Sequence, residues 1–160
     1  MTHPWNLADT VGQIELEVDT VELAELEGRL SVELTSIVCF EETRAVLATL
    51  RARGYRIGLC SNLALPYAAP VEALIGNLLD VRVWSFAVGA VKPEQRIYHA
   101  LCEALSLAPA EVLMVGDSFR CDVAGARASG LQACHLARGA VPACGSGHID
   151  NLTDLLAMML

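Results

Sequence analysis

Residues 112–136 read VLMVGDSFRCDVAGARASGLQACHL. An apolar run, Val112–Val115, leads through Gly116 into a turn that holds Asp117 and Asp122. A short helical segment, Asp122–Ser129, is closed by Gly130, and a second apolar run, Leu131–Leu136, follows. Two short apolar runs joined through a helix imply a crossover, and crossovers imply parallel strands. Ligands on such sheets sit beyond the carboxyl ends of the strands, so the residues just after each strand are the ones to inspect.

The same alternation extends upstream to Phe40. Glu41–Arg53 reads as a helix closed by Gly54, and Arg56–Cys60 as a short apolar strand. Pro66–Leu79 holds a helix, and Val81–Phe86 reads as a strand. Pro93 opens a helix to about Leu105, with proline at the first helical position. Downstream, 137–149 is a Gly/Pro/Ser-containing loop, and Asn151–Met159 a terminal helix capped by Asn151 or Asp150. The expected architecture is α/β: a Rossmann-like three-layer sandwich around a short parallel sheet of about four strands.

Residues 1–39 differ in character. They are acidic and form an N-terminal helical segment ahead of a core over 40–160. Asp19 with Glu22 resembles a capping box, and Leu23, Leu26, Leu30 and Leu34 recur at helical spacing. The spacing predicts an amphipathic helix from about Val21 to Ser36. Ile14, Leu16 and Val18 alternate with Glu15 and Glu17, the pattern of a short strand. The glutamates read as a solvated face rather than a metal site.

Bulk composition narrows the function. The 160 residues suit one domain, and 54% hydrophobic content supplies a buried sheet. Net charge is −8, which argues against nucleic acid, since phosphate-backbone binding needs a basic stripe. A small phosphorylated ligand needs only a local positive pocket. The six cysteines include no CxxC pair and mostly sit in apolar runs, so buried thiols are expected rather than zinc. Met1–Leu7 lacks the pattern of a signal peptide, and Glu72 and Asn77 interrupt the best candidate for a membrane span. The expected location is therefore cytoplasmic, with no membrane partner.

Three strand ends carry chemistry. The first presents Ser61 and Asn62, a hydroxyl and N–H groups suited to cradling phosphate oxygens. The second leads to Lys92, just before the predicted helix start at Pro93. The third presents Asp117 and Asp122, hard oxygen donors of the kind magnesium takes beside a phosphate. Each alone is ordinary: a turn, a surface lysine, a helix cap. Together, on one edge of one sheet, they describe a site for a phosphoryl group and a divalent ion.

With these residues in place, the chain resembles the haloacid dehalogenase-like superfamily. Ser61-Asn62 in GLCSN is similar to its second motif, Lys92 in VGAVKPEQRIY to its third, and Asp117 and Asp122 in VGDSFRCDVAGARASG to its acidic fourth. The resemblance covers about residues 40–138. It implies Ser61 and Asn62 on the phosphoryl group, Lys92 balancing charge at the nucleophile, and Mg2+ held through Asp117 and Asp122. The paired acidic motif favours a magnesium phosphatase acting on a small phosphorylated metabolite over a true dehalogenase.

The family's first motif, a strand ending in Asp-x-Asp whose first aspartate is the nucleophile, is not found. The nearest text, Glu17-Val18-Asp19-Thr20-Val21, lacks an apolar strand before it and reads better as a helix start. Residues 1–39 instead resemble the later part of a small helical cap, as if the chain began inside it. The missing strand would lie between those bearing Ser61 and Asp117. The sheet must then close directly, take residues 12–18, or accept a strand from another chain, and an open edge invites a homodimer by edge pairing or strand exchange. The expectation is a hydrolase inactive or very weak as it stands; the alternative is a non-catalytic, phosphate- and magnesium-binding or regulatory protein on the same fold. A receiver-like module or nucleotide binder fits less well. No acceptor aspartate ends a strand in the first half, and neither GxGxxG nor GxxxxGK[ST] occurs.

Overall fold

The computed structural model describes residues 1–139 and 147–159. Its apolar runs become short strands: β1 (Gly58–Ser61), β2 (Val81–Trp84), β3 (Leu113–Gly116) and β4 (Gln132–Leu136), with a fifth, β5 (His148–Ile149). All pair in parallel: β1 with β2, β3 with β4, and β4 with β5. Parallel pairing needs crossover connections, and eight α-helices occur among the described residues. They are α1 (Leu7–Gln13), α2 (Thr20–Thr35), α3 (Thr43–Ala52), α4 (Ala68–Ile75), α5 (Ser85–Val88), α6 (Gln95–Leu105), α7 (Gly125–Ala128) and α8 (Leu155–Met158).

The strands do not form one sheet. β1–β2 is one unit and β3–β4–β5 another, with no pairing between them among the described residues. A common core joins them on one face. Ile97, Tyr98, Leu101 and Leu105 of α6 pack with Cys60 and Val83 of the first unit and Met114 of the second. On the opposite face Cys134, Ile149 and Leu155 form a smaller core with Leu113, Val115 and Leu136. There α3 lies beside α8, and the Arg53 guanidinium donates to the carbonyls of Leu156 (2.8 Å) and Met159 (3.2 Å). The result is a three-layer α/β sandwich whose central layer is interrupted between β1 and β3.

Several expectations need correction. Residues 14–18 form no strand. The Asn6–Asp9 capping box starts a helix, α1, that the sequence pattern does not reveal, and Ile14 caps its end. Glu15 then takes φ 52°, and Ile14 and Leu16 are left exposed with no strand to pair with. Helix α6 starts at Gln95 rather than Pro93: Glu94, in an extended conformation, is its cap, and Asn62 holds the Lys92 backbone just before the proline. Strand β2 stops at Trp84, and Ser85 turns into α5, closed by Gly89 at φ 69°. The terminal helix divides into a 3-10 turn, Leu152–Asp154, and α8. The loop expected over 137–149 contains β5 at its end; residues 140–146 of it, with Cys144, lie outside the described residues.

Candidate functional site

The three sequence-predicted strand ends converge on Lys92. Asn62, directly after β1, holds the Lys92 backbone at two points. Its Nδ2 donates to the Lys92 carbonyl (2.9 Å), and its Oδ1 accepts from the Lys92 N–H (2.7 Å). A side-chain amide has one donor end and one acceptor end, so this pairing uses both. With its backbone fixed, Lys92 sends its ammonium to the carboxyl end of β1, where Nζ donates to the Cys60 carbonyl (2.9 Å) and to Asp122 Oδ1 (2.6 Å). The Lys92 and Asp122 side chains are only 12% and 5% exposed. Burial of such a pair is tolerated when further hydrogen bonds support it; here both Asp122 oxygens accept one, and Lys92 uses two of its three ammonium hydrogens.

Asp122 is reached through a tight loop. Gly116 ends β3 with no side chain, and a Cβ there would run into the Asp122 carboxylate. Asp122 Oδ2 accepts from the Ser118 N–H (3.0 Å), and the Asp122 N–H donates to the Ser118 carbonyl (2.6 Å). Ser118 Oγ caps the turn by accepting from the Cys121 N–H (3.2 Å). Residues Phe119–Ala124 form a π-helical turn, the widened geometry that recurs at functional sites. The buried Tyr98 hydroxyl donates to the Cys121 carbonyl, and Cys121 Sγ donates to the Lys92 carbonyl (3.4 Å).

Asp117 is placed differently. It is exposed at the carboxyl end of β3, and its carboxylate has no hydrogen bond or ion pair among the described residues. Asp122, in contrast, spends one oxygen on Lys92 and the other on Ser118. The two predicted cation ligands thus separate: Asp117 is open to solvent, while Asp122 anchors the lysine and the loop. No group of three or more His, Cys, Asp or Glu residues is arranged to enclose a metal among the described residues. One open carboxylate still suits magnesium, which keeps several waters and shares its oxygens with a phosphate.

Sequence reasoning misses three further contributions. Tyr98 supports the π-turn from α6, and burial pushes its pKa well above the phenol range, so it acts as a donor. His135, near the end of β4, contacts the Asp117 carbonyl through Nε2 (2.9 Å). The Asn62 side chain clamps Lys92. For His135 a signal exists, since it stands at the carboxyl end of a predicted strand. Cys60, beside Ser61, is buried, and burial raises its thiol to about 11, which keeps it protonated near neutral pH. Glu17 and Asp19 stay outside the site. Both hydrogen bonds of the Asp19 carboxylate among the described residues are helix-capping ones, Oδ1 accepting from the Val21 and Glu22 N–H groups (2.8 Å each). Asp122 is the only carboxylate paired with Lys92 among the described residues.

Residues 5–130 match the family described as haloacid dehalogenase-like hydrolase. The plasmid-encoded phosphoglycolate phosphatase of Cupriavidus necator is 35% identical over 113 residues, 69% of this chain and 46% of that protein. The phosphoserine phosphatase of Thermus thermophilus is 37% identical over 106 residues, 64% of this chain and 42% of that protein. The chain spans less than half the length of these two relatives. A phosphoglycolate phosphatase of Cereibacter sphaeroides is 32% identical over 159 residues, 89% of this chain and 71% of that protein. Among solved structures, a HAD phosphatase from Thermococcus onnurineus superposes with TM-score 0.75 at 26% identity, over 96% of this chain and 70% of that one.

Proposed function

Because the chain belongs to the haloacid dehalogenase-like hydrolases, we propose that it carries the phosphate- and cation-handling part of a phosphomonoester hydrolase for a small phosphorylated metabolite. The observation that carries this reading is the Asn62–Lys92–Asp122 network. It fixes a cation at the end of β1, one residue from the Ser61 hydroxyl. In this reading the Ser61 hydroxyl and nearby N–H groups donate to phosphoryl oxygens. Lys92 offsets their charge, Asp122 holds Lys92 in place, and Asp117 offers its open carboxylate to Mg2+. When bound, that ion neutralises charge on the transferring group. Asp122 then shapes the cation site through the loop rather than as a direct ligand.

The family's covalent step needs a carboxylate nucleophile beside Lys92. The described residues place only Asp122 on that lysine, and Asp122 is committed to the loop. Turnover at or near background is therefore expected of these 160 residues, with binding retained. The non-catalytic alternative, a phosphate- and magnesium-binding regulator, rests on the same geometry. Residues 1–39, whose helices α1 and α2 have no buried residue, would act as a cap-like segment beside the 40–160 core. The five described cysteines are all free, which suits a reducing cytoplasm. No helix among the described residues is long and apolar enough to cross a membrane. A homodimer through the open sheet edges completes the proposal.

The test pairs binding with turnover. Mn2+, a spectroscopic substitute for Mg2+, should bind the wild type, and Asp117→Ala should weaken it about tenfold or more, measured by electron paramagnetic resonance. Equal Mn2+ affinity in the two proteins would remove Asp117 as the ligand. Hydrolysis of an aryl phosphate well above the Asp117→Ala background would show a working nucleophile and overturn the expectation of near-background turnover.

A further inference from the structure

We propose that His135 is a positioning residue for the cation-binding loop, holding the backbone from which the Asp117 carboxylate projects by pinning the peptide that follows it. The part of this proposal that concerns the cation rests on the reading of Asp117 given above; the pinning itself does not.

In β4, His135 stands opposite Gly116, the last residue of β3 before the loop begins. From there its Nε2 reaches the Asp117 carbonyl at 2.9 Å. A carbonyl only accepts, so Nε2 carries the hydrogen in this contact. The other end of the same peptide unit is the Ser118 N–H, which donates to Asp122 Oδ2 at 3.0 Å. One planar peptide is thus held at both ends, by His135 on the carbonyl side and Asp122 on the amide side. Fixing that plane fixes ψ of Asp117 and φ of Ser118. The other anchors named above, Ser118 Oγ to the Cys121 N–H, the Asp122 N–H to the Ser118 carbonyl and Tyr98 to the Cys121 carbonyl, act on later peptide units and do not hold the Asp117 carbonyl.

Phe119 adds a second contact to the same imidazole. Its ring meets His135 edge-on, with centroids 5.8 Å apart and planes at 81°, although Phe119 is itself 62% exposed. An exposed aromatic held this way keeps the imidazole over the loop rather than turned to solvent. The chain therefore uses one side chain of the neighbouring strand to brace both Asp117 and Phe119. A ligand held within a few tenths of an ångström needs such support from the groups behind it.

The experiment compares the wild type with His135→Ala and His135→Gln, the latter keeping an N–H donor at a similar reach. Amide hydrogen exchange at Ser118 is followed by NMR without metal, and Mn2+ affinity by electron paramagnetic resonance. His135→Ala should speed Ser118 exchange and weaken Mn2+ binding about tenfold, and His135→Gln should restore both. Unchanged Ser118 exchange in His135→Ala overturns the proposal. So does faster exchange with unaltered Mn2+ affinity, because the peptide would then not position the ligand. Failure of His135→Gln to rescue overturns the hydrogen bond as the cause. If the wild type itself binds no Mn2+, the cation reading of Asp117 fails, and Ser118 exchange in the two variants still decides whether His135 pins the loop. Should the alanine variant not fold, His135→Leu, which fills the space without a donor, takes its place with the same expected outcomes.

Discussion

Lys92 and Asp122 depend on each other for stability as well as for any chemistry. Asp122 is 5% exposed, and Lys92 is its only countercharge among the described residues. Replacing Lys92 with methionine keeps the apolar stem and removes the charge, leaving a buried carboxylate unpaired. Breaking a buried pair from one side costs about 3 kcal/mol or more. Lys92→Met should therefore lower the urea midpoint markedly, and adding Asp122→Asn should recover much of the loss. Equal stability of Lys92→Met and wild type would mean that water reaches Asp122. Cys60, next to this pair, gives a pH signature. Burial raises its thiol from 9.0 to about 11, so the folded chain holds this proton more tightly than the unfolded chain does. That contribution is complete below the unfolded value and is lost as pH rises from about 9 towards 11. Between about pH 8 and about pH 10 the wild type should lose more stability than Cys60→Ala, measured by denaturant unfolding at each pH.

At the scale of elements, the sequence is most legible where local rules and tertiary packing agree. Asp19 with Glu22 marks the start of α2 because a capping box is local chemistry, and both of its hydrogen bonds form. Gly54 marks the end of α3, and its φ of 90° shows why glycine stands there. Short apolar runs become strands wherever α6 or α8 covers them. The misreadings fall where tertiary contacts set the backbone. Pro93 has the local character of a first helical residue, but the Lys92 backbone is held by Asn62 from another strand end, and α6 waits until Gln95. Asp122 has the local character of a residue opening a regular helix, yet its ties to Lys92 and Ser118 shape a π-turn instead. Alternation over 14–18 suggests a strand, but alternation describes only a face, and these residues pair with no strand edge among the described residues. Of the candidate site, residue types and strand ends are readable. The division of labour between Asp117 and Asp122 is not, since it depends on which carboxylate meets Lys92.

Across the whole molecule, the break between β1 and β3 has consequences for association. Parallel sheets covered by helices bury both faces of every strand, so their edges are expected to be paired or sealed. Here β1 and β3 are unpaired on their free sides among the described residues, and the two units are held together by the α6 core and the Lys92–Asp122 bridge instead. Leu59, Leu113 and Val115, strand residues of the kind such sheets bury, are not fully buried. The chain's own residues 14–18 are poor fillers. Inserted as a strand between helices, they would bury Glu15 and Glu17 without partners, at a cost of several kcal/mol for each charge. A second chain pairing at the open edge avoids that cost, opposed mainly by the net charge of −8 that each copy carries. Salt screens that repulsion without weakening backbone hydrogen bonds or apolar contact. Sedimentation should therefore show association that grows with protein concentration across the micromolar range and strengthens as salt is raised. A monomer at all concentrations and salt levels would overturn association through these strand edges.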